Sequence, residues 1–284
     1  MVLDTATIEK IKSLVYQKPR NINDIAIALN KNWRTADRYV EEIIEKTGTI
    51  KSITFREGTR GALKIIYWNN NEKIYSTDIQ EELFKKIEQG INKSDFSPFE
   101  IYQYIDSDKK NGYYEEIEDE NKYDYRVETL CPYFESSEKE IYIFAGNLAF
   151  IHLKYKNKTI YDYMKKCIER NVIIKIITYV NLIDLDNIEK VLSLNSGLKE
   201  PLIEIRHEIV PVRAYIFDNT IAKFGEIAMG QKKKGQIQNK IAIYYELKDK
   251  EWVEWLQKLF WKKFQKAIPC SKRIENIRSF KKLK

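Results

Sequence analysis

The stretch NINDIAIALNKNWRTADRYVEEIIEKTG at residues 21–48, followed by IKSITFREGTRGALKIIYW at residues 50–68, decides how the N-terminal part of this chain folds. Asn23 opens a short helix in which Ile25, Ala28 and Leu29 recur at helical spacing, and the polar run Asn30, Lys31, Asn32 breaks it. A second helix starts at Trp33. Its inward stripe is Val40, Ile43 and Ile44, while Arg34, Thr35 and Arg38 point outward, and Gly48 supplies a C-terminal stop. Residues 50–55 and 63–68 then flank the polar turn Arg56 to Gly61, the pattern of a β-hairpin. Upstream, Ile8, Ile11, Leu14 and Val15 stripe a first helix, Ala6 to Gln17, with Thr5 as its N-cap. The order reads as a helix-turn-helix with a two-stranded wing.

A short helix, a tight turn and a second helix with outward Arg and Thr near its start suit the major groove, where base edges are read. Asn32, Trp33, Arg34, Thr35 and Arg38 are the candidate groove contacts. On the wing, Arg56, Thr59, Arg60 and Lys64 are the candidates for the neighbouring phosphate backbone. Trp33 is the odd member, because an aromatic at a helix start more often packs between helices than stacks on a base. Double-stranded DNA is the expected partner; a winged helix used for protein contacts is the competing reading of the same pattern.

At 284 residues the chain exceeds one winged helix and suffices for a second compact domain. The net charge of +7 is unevenly spread, with Lys258, Lys262, Lys263, Lys266, Lys272 and Arg273 in a basic C-terminal segment whose one acid is Glu275. Such a run is either a solvated helix face or a tail that meets phosphates. The acidic run Glu115 to Glu120 reads as a solvated loop or helix end. Cys131, Cys167 and Cys270 show no metal-ligand spacing, so no zinc site, disulfide framework or cofactor is expected. The N-terminus lacks the apolar core of a signal peptide and no run is long enough for a membrane helix, so a cytoplasmic protein is expected.

Beyond the wing, residues 77–91 read as an amphipathic helix with Ile79, Leu83, Ile87 and Ile91 in a narrow stripe. That stripe suits pairing with its twin in a dimer as well as lying on its own domain. Ser97 and Pro98 begin a short helix, and residues 106–125 are charged and read as irregular. From Tyr125 onward strands and helices alternate, with strands at 140–145, 172–180, 202–209, 212–217, 220–224 and 241–246 and helices at 159–169, 185–194 and 250–267. The fold class is therefore α/β overall: a winged helix over residues 1–68, a helical linker over 69–124, and an α/β domain with a basic tail over 125–284.

One segment of that domain has the frame of a known family. Pro211, Arg213 and Asp218, followed by Gly225, Glu226 and Ala228, resemble the phospholipase D-like motif, in which His-x-Lys-x(4)-Asp precedes Gly-Ser-x-Asn. Asp218 and Gly225 stand at the family's Asp and Gly. Pro211 replaces the His, Arg213 the Lys, Glu226 the Ser and Ala228 the Asn. The family's His attacks phosphorus, and proline has no side-chain atom able to do so, so catalysis is not expected. His207 lies four residues too early, about 13 Å away along an extended strand, and reads as an edge histidine, as does the isolated His152. Arg213, Asp218 and Glu226 read either as a structural salt-bridge cluster or as a place that holds a ligand.

A winged helix ahead of such an inactive domain resembles the archaeal TrmB-like transcription regulators. The resemblance implies a homodimer, built through a C-terminal domain that dimerises and can sense a small-molecule effector; no motif identifies a sugar site. The expectation is a sequence-specific regulator that is not an enzyme. Its rivals are a nonspecific DNA-coating protein and a phospholipase D-like nuclease.

Overall fold

The computed structural model describes residues 3–17, 19–47, 49–56, 62–68, 76–117, 127–229 and 240–281. Gly48, Thr59 and Arg60 lie outside these residues, and of Arg56 the backbone alone is described.

The first part holds α1 (Thr5–Gln17), β1 (Arg20–Asn21), α2 (Ile22–Ala28), α3 (Trp33–Thr47), β2 (Ile50–Arg56) and β3 (Ala62–Trp68). Its sheet runs β1-β3-β2, all antiparallel, with Ile53 opposite Ile65. Ile11, Val15, Ile25, Ala36, Val40 and Ile43 close a core against Ile50 and Ile66. Two caps differ from the sequence reading. Asp4, not Thr5, caps α1, its carboxylate accepting from the Thr7 N–H at 2.6 Å. Asn21, not Asn23, caps α2, its Oδ1 accepting from the N–H groups of Asn23 and Asp24 at 2.9 Å each. An N-cap must be extended while its side chain reaches forward, and Asn21 meets this as the last residue of β1. Ala26 is buried where Ala28 was expected, and Ala28 is half-buried.

The rest of the chain forms α4 (Ser76–Gln89), α5 (Phe99–Tyr102), β4 (Lys110–Ile117), α6 (Val127–Ser136), β5 (Glu140–Phe144), β6 (Lys154–Tyr155), β7 (Lys158–Thr159), α7 (Ile160–Glu169), β8 (Ile173–Thr178), α8 (Leu185–Leu192), β9 (Ile203–His207), β10 (Ala214–Phe217), β11 (Ile221–Met229), β12 (Lys240–Leu247), α9 (Lys250–Lys266), β13 (Ile268–Pro269) and α10 (Cys270–Lys281). An eight-stranded mixed sheet runs β13-β9-β8-β5-β10-β11-β12-β4, and β5, β8 and β9 are parallel. The protein is thus mixed α/β. Alternation along the central strands sends Tyr142, Phe144, Ala214 and Ile216 to one face, under α4, α5 and α9, and Ile141, Ile143, Tyr215 and Phe217 to the other, under α6, α7, α8 and α10.

Residues 110–117, expected to be irregular, form the edge strand β4 against β12. Tyr114 is buried in the core while Lys110 and Glu116 sit on an edge that water reaches, which is how edge strands carry charge. The α4 stripe is consumed within the chain: Ile79, Leu83 and Ile87 are buried on the large sheet, and Ile91 falls past the helix end, 66% exposed. α9 seals the same face with Trp252, Leu256, Leu259, Phe260 and Phe264.

The wing packs there too. Phe55 of β2 meets Tyr102 and Tyr245 with ring centroids 5.6 and 6.2 Å apart, and Tyr67 of β3 meets Phe99 at 5.4 Å. Gly112 makes the approach possible, because a Cβ there would stand 2.3 Å from Phe55 Cε1. The basic end of the chain is a packed helix: Cys270, Ile274 and Ile277 of α10 join the second core, and Arg278 pairs with Glu189 at 2.6 Å. Lys263 and Lys266 of α9 pair with Glu208 and Glu88 at 2.9 and 3.0 Å. All three cysteines are buried free thiols. Among the described residues no helix is long and apolar enough to cross a membrane.

Candidate nucleic-acid interface and degenerate site

Asn32 organises the start of α3. Its Oδ1 accepts from the Thr35 N–H at 2.9 Å and from the Thr35 hydroxyl at 3.1 Å, so both residues hold the helix end in place. Ala36, Tyr39 and Val40 turn inward, which leaves Asn32, Trp33, Arg34 and Arg38 on the outer surface. Trp33 does not pack between helices: it is 43% exposed, with the Arg34 guanidinium 5.6 Å from its ring. Trp33 is the first residue of α3. It shares the helix face of Ala36 and Val40 but stands a turn before the first of them, at the end of the helix and beyond the core they close. Among the described residues no carboxylate pairs with Arg34, and Arg38 lies over the Tyr39 ring at 5.4 Å.

The wing departs from expectation. Lys64 points back to α3, hydrogen-bonding Asp37 at 2.7 Å and pairing closely with Glu41. Its position on β3 places it across from the helix, and two acids on one α3 face claim it, which raises its pKa against the cost of burial. Thr59 and Arg60 lie outside the described residues, as does the Arg56 side chain.

The phospholipase D-like frame is split by the strand that carries it. Asp218 and Asn219 take positive φ, 48° and 54°, in the turn at residues 218–220 that joins β10 to β11. The Asp218 carboxylate accepts three backbone N–H groups, from Glu138, Lys139 and Glu140, each at 2.9 Å. Arg213 stands at the opposite end of β10, about 16 Å away along an extended strand. Its guanidinium donates to the Val210 and Val212 carbonyls at 2.6 and 2.7 Å and covers Gly146, where a Cβ would lie 2.7 Å from Nε. The expected cluster of Arg213, Asp218 and Glu226 therefore does not form. Pro211 is buried, and Gly90, just past α4, packs so closely that a Cβ there would be 2.9 Å from its ring. Gly225 is buried in β11 opposite Tyr244.

Glu226 has partners that sequence reasoning missed. Tyr245, diagonally across from it on β12, donates its hydroxyl at 2.5 Å, and Ser97 adds a second hydrogen bond. Burial raises the Glu226 pKa, and Glu100 raises it further. Burial pushes the Lys93 ammonium down, helped by the charge of Arg213 and opposed by that of Glu226. Lys93, Ser97 and Glu226 line a cavity of about 400 Å³ whose far wall is Arg20, Asn21 and Asp24 of the winged helix. No local pattern could have found this set, because residues 20–24, 93–97, 226 and 245 meet only in three dimensions. His207 and His152 are engaged elsewhere: His207 Nδ1 accepts from the Val180 N–H at 3.0 Å, and His152 Nε2 lies 2.7 Å from Asn187 Oδ1.

No family model matches the chain, and no curated protein matches it by sequence. Among solved structures it is similar to TrmBL2, an archaeal chromatin protein whose structure shows a novel mode of DNA binding: 15% identity, TM-score 0.39, covering 94% of each chain. It is also similar to NucT from Helicobacter pylori, with 14% identity, TM-score 0.38, and 57% of this chain against 99% of that one. Nuc from Salmonella typhimurium, a phospholipase D family member, gives 11% identity, TM-score 0.38, and 57% against 98%. Likeness at this level transfers no activity or ligand.

Proposed function

We propose that this protein is a sequence-specific, DNA-binding transcription regulator that acts as a homodimer, with a phospholipase D-like domain that is not an enzyme but dimerises and senses a small-molecule effector. The observation that carries the reading is the outer face of α3, where Asn32 and Thr35 set the helix start and Trp33, Arg34 and Arg38 stand exposed beside it. Guanidinium groups at such a place reach guanine edges or phosphates in the major groove. Pro211, which has no nucleophile, and Arg213, whose guanidinium is spent on two backbone carbonyls, support the non-catalytic role. The homodimer follows from the TrmB-like resemblance and entails an inverted-repeat operator with half-sites about one helical turn, or a multiple of it, apart.

The test is selection of binding sites with full-length protein at physiological salt, then comparison of the best site with scrambled duplex. An inverted repeat preferred by about a thousandfold is expected. Replacing Arg34 and Arg38 together by alanine should cost about 2–6 kcal/mol of specific binding, from about 1–3 kcal/mol per base contact. Unchanged affinity in that variant refutes the α3 assignment. Uniform, salt-sensitive coating without a motif would make the protein a nonspecific DNA binder instead.

A further inference from the structure

Trp33 is a large apolar side chain with no place in the core of the winged helix. Leu29, Ile44 and Trp68 pack against the margin of that core, whereas Trp33 stays outside it, 43% exposed. Its position is nonetheless fixed, because the Asn32 side chain holds the Thr35 N–H and hydroxyl and so sets the helix start that carries the indole. Side chains on a helix lean toward its N-terminus, so the first residue projects off the end that enters a groove. The surroundings are cationic. Lys31 before it and Arg34 and Arg38 after it are exposed, with the Arg34 guanidinium 5.6 Å from the indole ring. The first two acids of the helix, Asp37 and Glu41, are paired with Lys64. This is an apolar group set among charges that suit a polyanion.

An intact duplex offers an indole only the edges of its bases, because the faces are closed by stacking and extruding a base is costly. On the major-groove edges adenine, guanine and cytosine present hydrogen-bond donors and acceptors, and the one apolar group is the 5-methyl of thymine. The indole has a single donor, Nε1–H, so it gains most by covering that methyl, while Arg34 and Arg38 supply the hydrogen bonds. We infer, on the DNA-binding reading above, that Trp33 is a specificity-determining residue that covers a thymine methyl, so that each half-site bound by α3 carries a preferred thymine.

The test compares the best duplex from site selection with copies in which deoxyuridine replaces thymine one position at a time. Deoxyuridine pairs identically and lacks only the methyl. With full-length protein, one position in each half-site should weaken binding by about fourfold, the contribution of one buried methyl, and the two together by about fifteenfold. In Trp33→Ala, whose melting temperature should match the parent's because the residue lies outside the core, the thymine and deoxyuridine duplexes should bind within about 1.5-fold of each other. That variant also subtracts any effect of the methyl on DNA shape. Trp33→Phe keeps an apolar ring without the indole N–H and should retain at least about twofold discrimination. Equal affinity of the parent for both duplexes, undiminished discrimination in Trp33→Ala, or none in Trp33→Phe overturns the methyl contact and leaves DNA binding standing. A parent protein that binds no duplex at all overturns both.

Discussion

Asp218 occupies a position that the motif frame associates with catalysis, yet its geometry here is that of a clamp, and the two roles separate under substitution. Its carboxylate holds the N–H groups of residues 138, 139 and 140, which form the turn that launches β5. Hydrogen bonds to a charged acceptor contribute about 1.5–3 kcal/mol each when shielded, and about 0.5–1 kcal/mol where water can replace the acceptor. Glu138 and Lys139 are exposed and Glu140 is half-buried, so the three together contribute about 2.5–5 kcal/mol. The backbone adds a second cost. With φ at 48°, alanine is strained by about 1 kcal/mol, asparagine is tolerated, and glycine is unstrained. Asp218→Ala should therefore lose about 4 kcal/mol, Asp218→Gly about 3 kcal/mol, and Asp218→Asn, which keeps one acceptor oxygen and the turn, about 1–2 kcal/mol. Urea unfolding followed by circular dichroism reads these values. DNA affinity of the folded Asn variant should match the parent. A loss below about 0.5 kcal/mol for the alanine variant would refute the clamp.

Other elements give equally direct tests. Lys223 and Glu246 form a buried ion pair at 3.0 Å, with Tyr133 donating to Glu246 and Lys223 donating to the Thr129 carbonyl, so Lys223→Ala should destabilise by about 3–5 kcal/mol in the same unfolding assay. Those partners hold the Glu246 carboxyl down at about 2 despite its burial. Its folded pKa is depressed, so its contribution, about 3 kcal/mol, is present above the ordinary glutamate value near 4.5 and lost as pH falls toward 2. Melting temperatures across that window should fall more steeply in the parent than in a Glu246→Gln variant. Gly112→Ala should push Phe55 off the sheet, cost about 1–3 kcal/mol and make the winged helix more sensitive to protease; unchanged cleavage would argue against the docked wing. Lys64 is spent on Asp37 and Glu41, so Lys64→Met should leave the salt dependence of DNA binding near the parent's, whereas a true phosphate contact would remove about 0.9 from the slope.

Much of this fold could be read along the chain. The winged helix was legible because each of its elements carries its own period: Ile11 and Val15, then Val40 and Ile43, then the alternating strands 50–56 and 62–68. The β-branched run of β8 and the aromatic stripe of α9 were equally plain. β4 was not, because an edge strand with one face in the core keeps charged residues on the other, and those charges resemble a loop. Helix α6 was missed too; Pro132 sits inside it and masks its period.

The candidate groove residues were legible for the same local reason, since the face of α3 that meets its core fixes the face left outside. Lys64 misled because its partners, Asp37 and Glu41, lie on another element, and which side of a hairpin faces a helix is a matter of packing.

By itself the sequence determined most element types and the helix-helix-hairpin order at residues 22–68, because periodicity and residue chemistry are properties of short segments. Only the tertiary structure decided that Asp218 clamps a turn 78 residues away instead of meeting Arg213. Only it decided that the wing lies on the large sheet, and that Arg20, Lys93 and Glu226 share one cavity. Those outcomes depend on which distant surfaces exclude water together, and burial of that kind leaves no signature in the neighbours of any single residue.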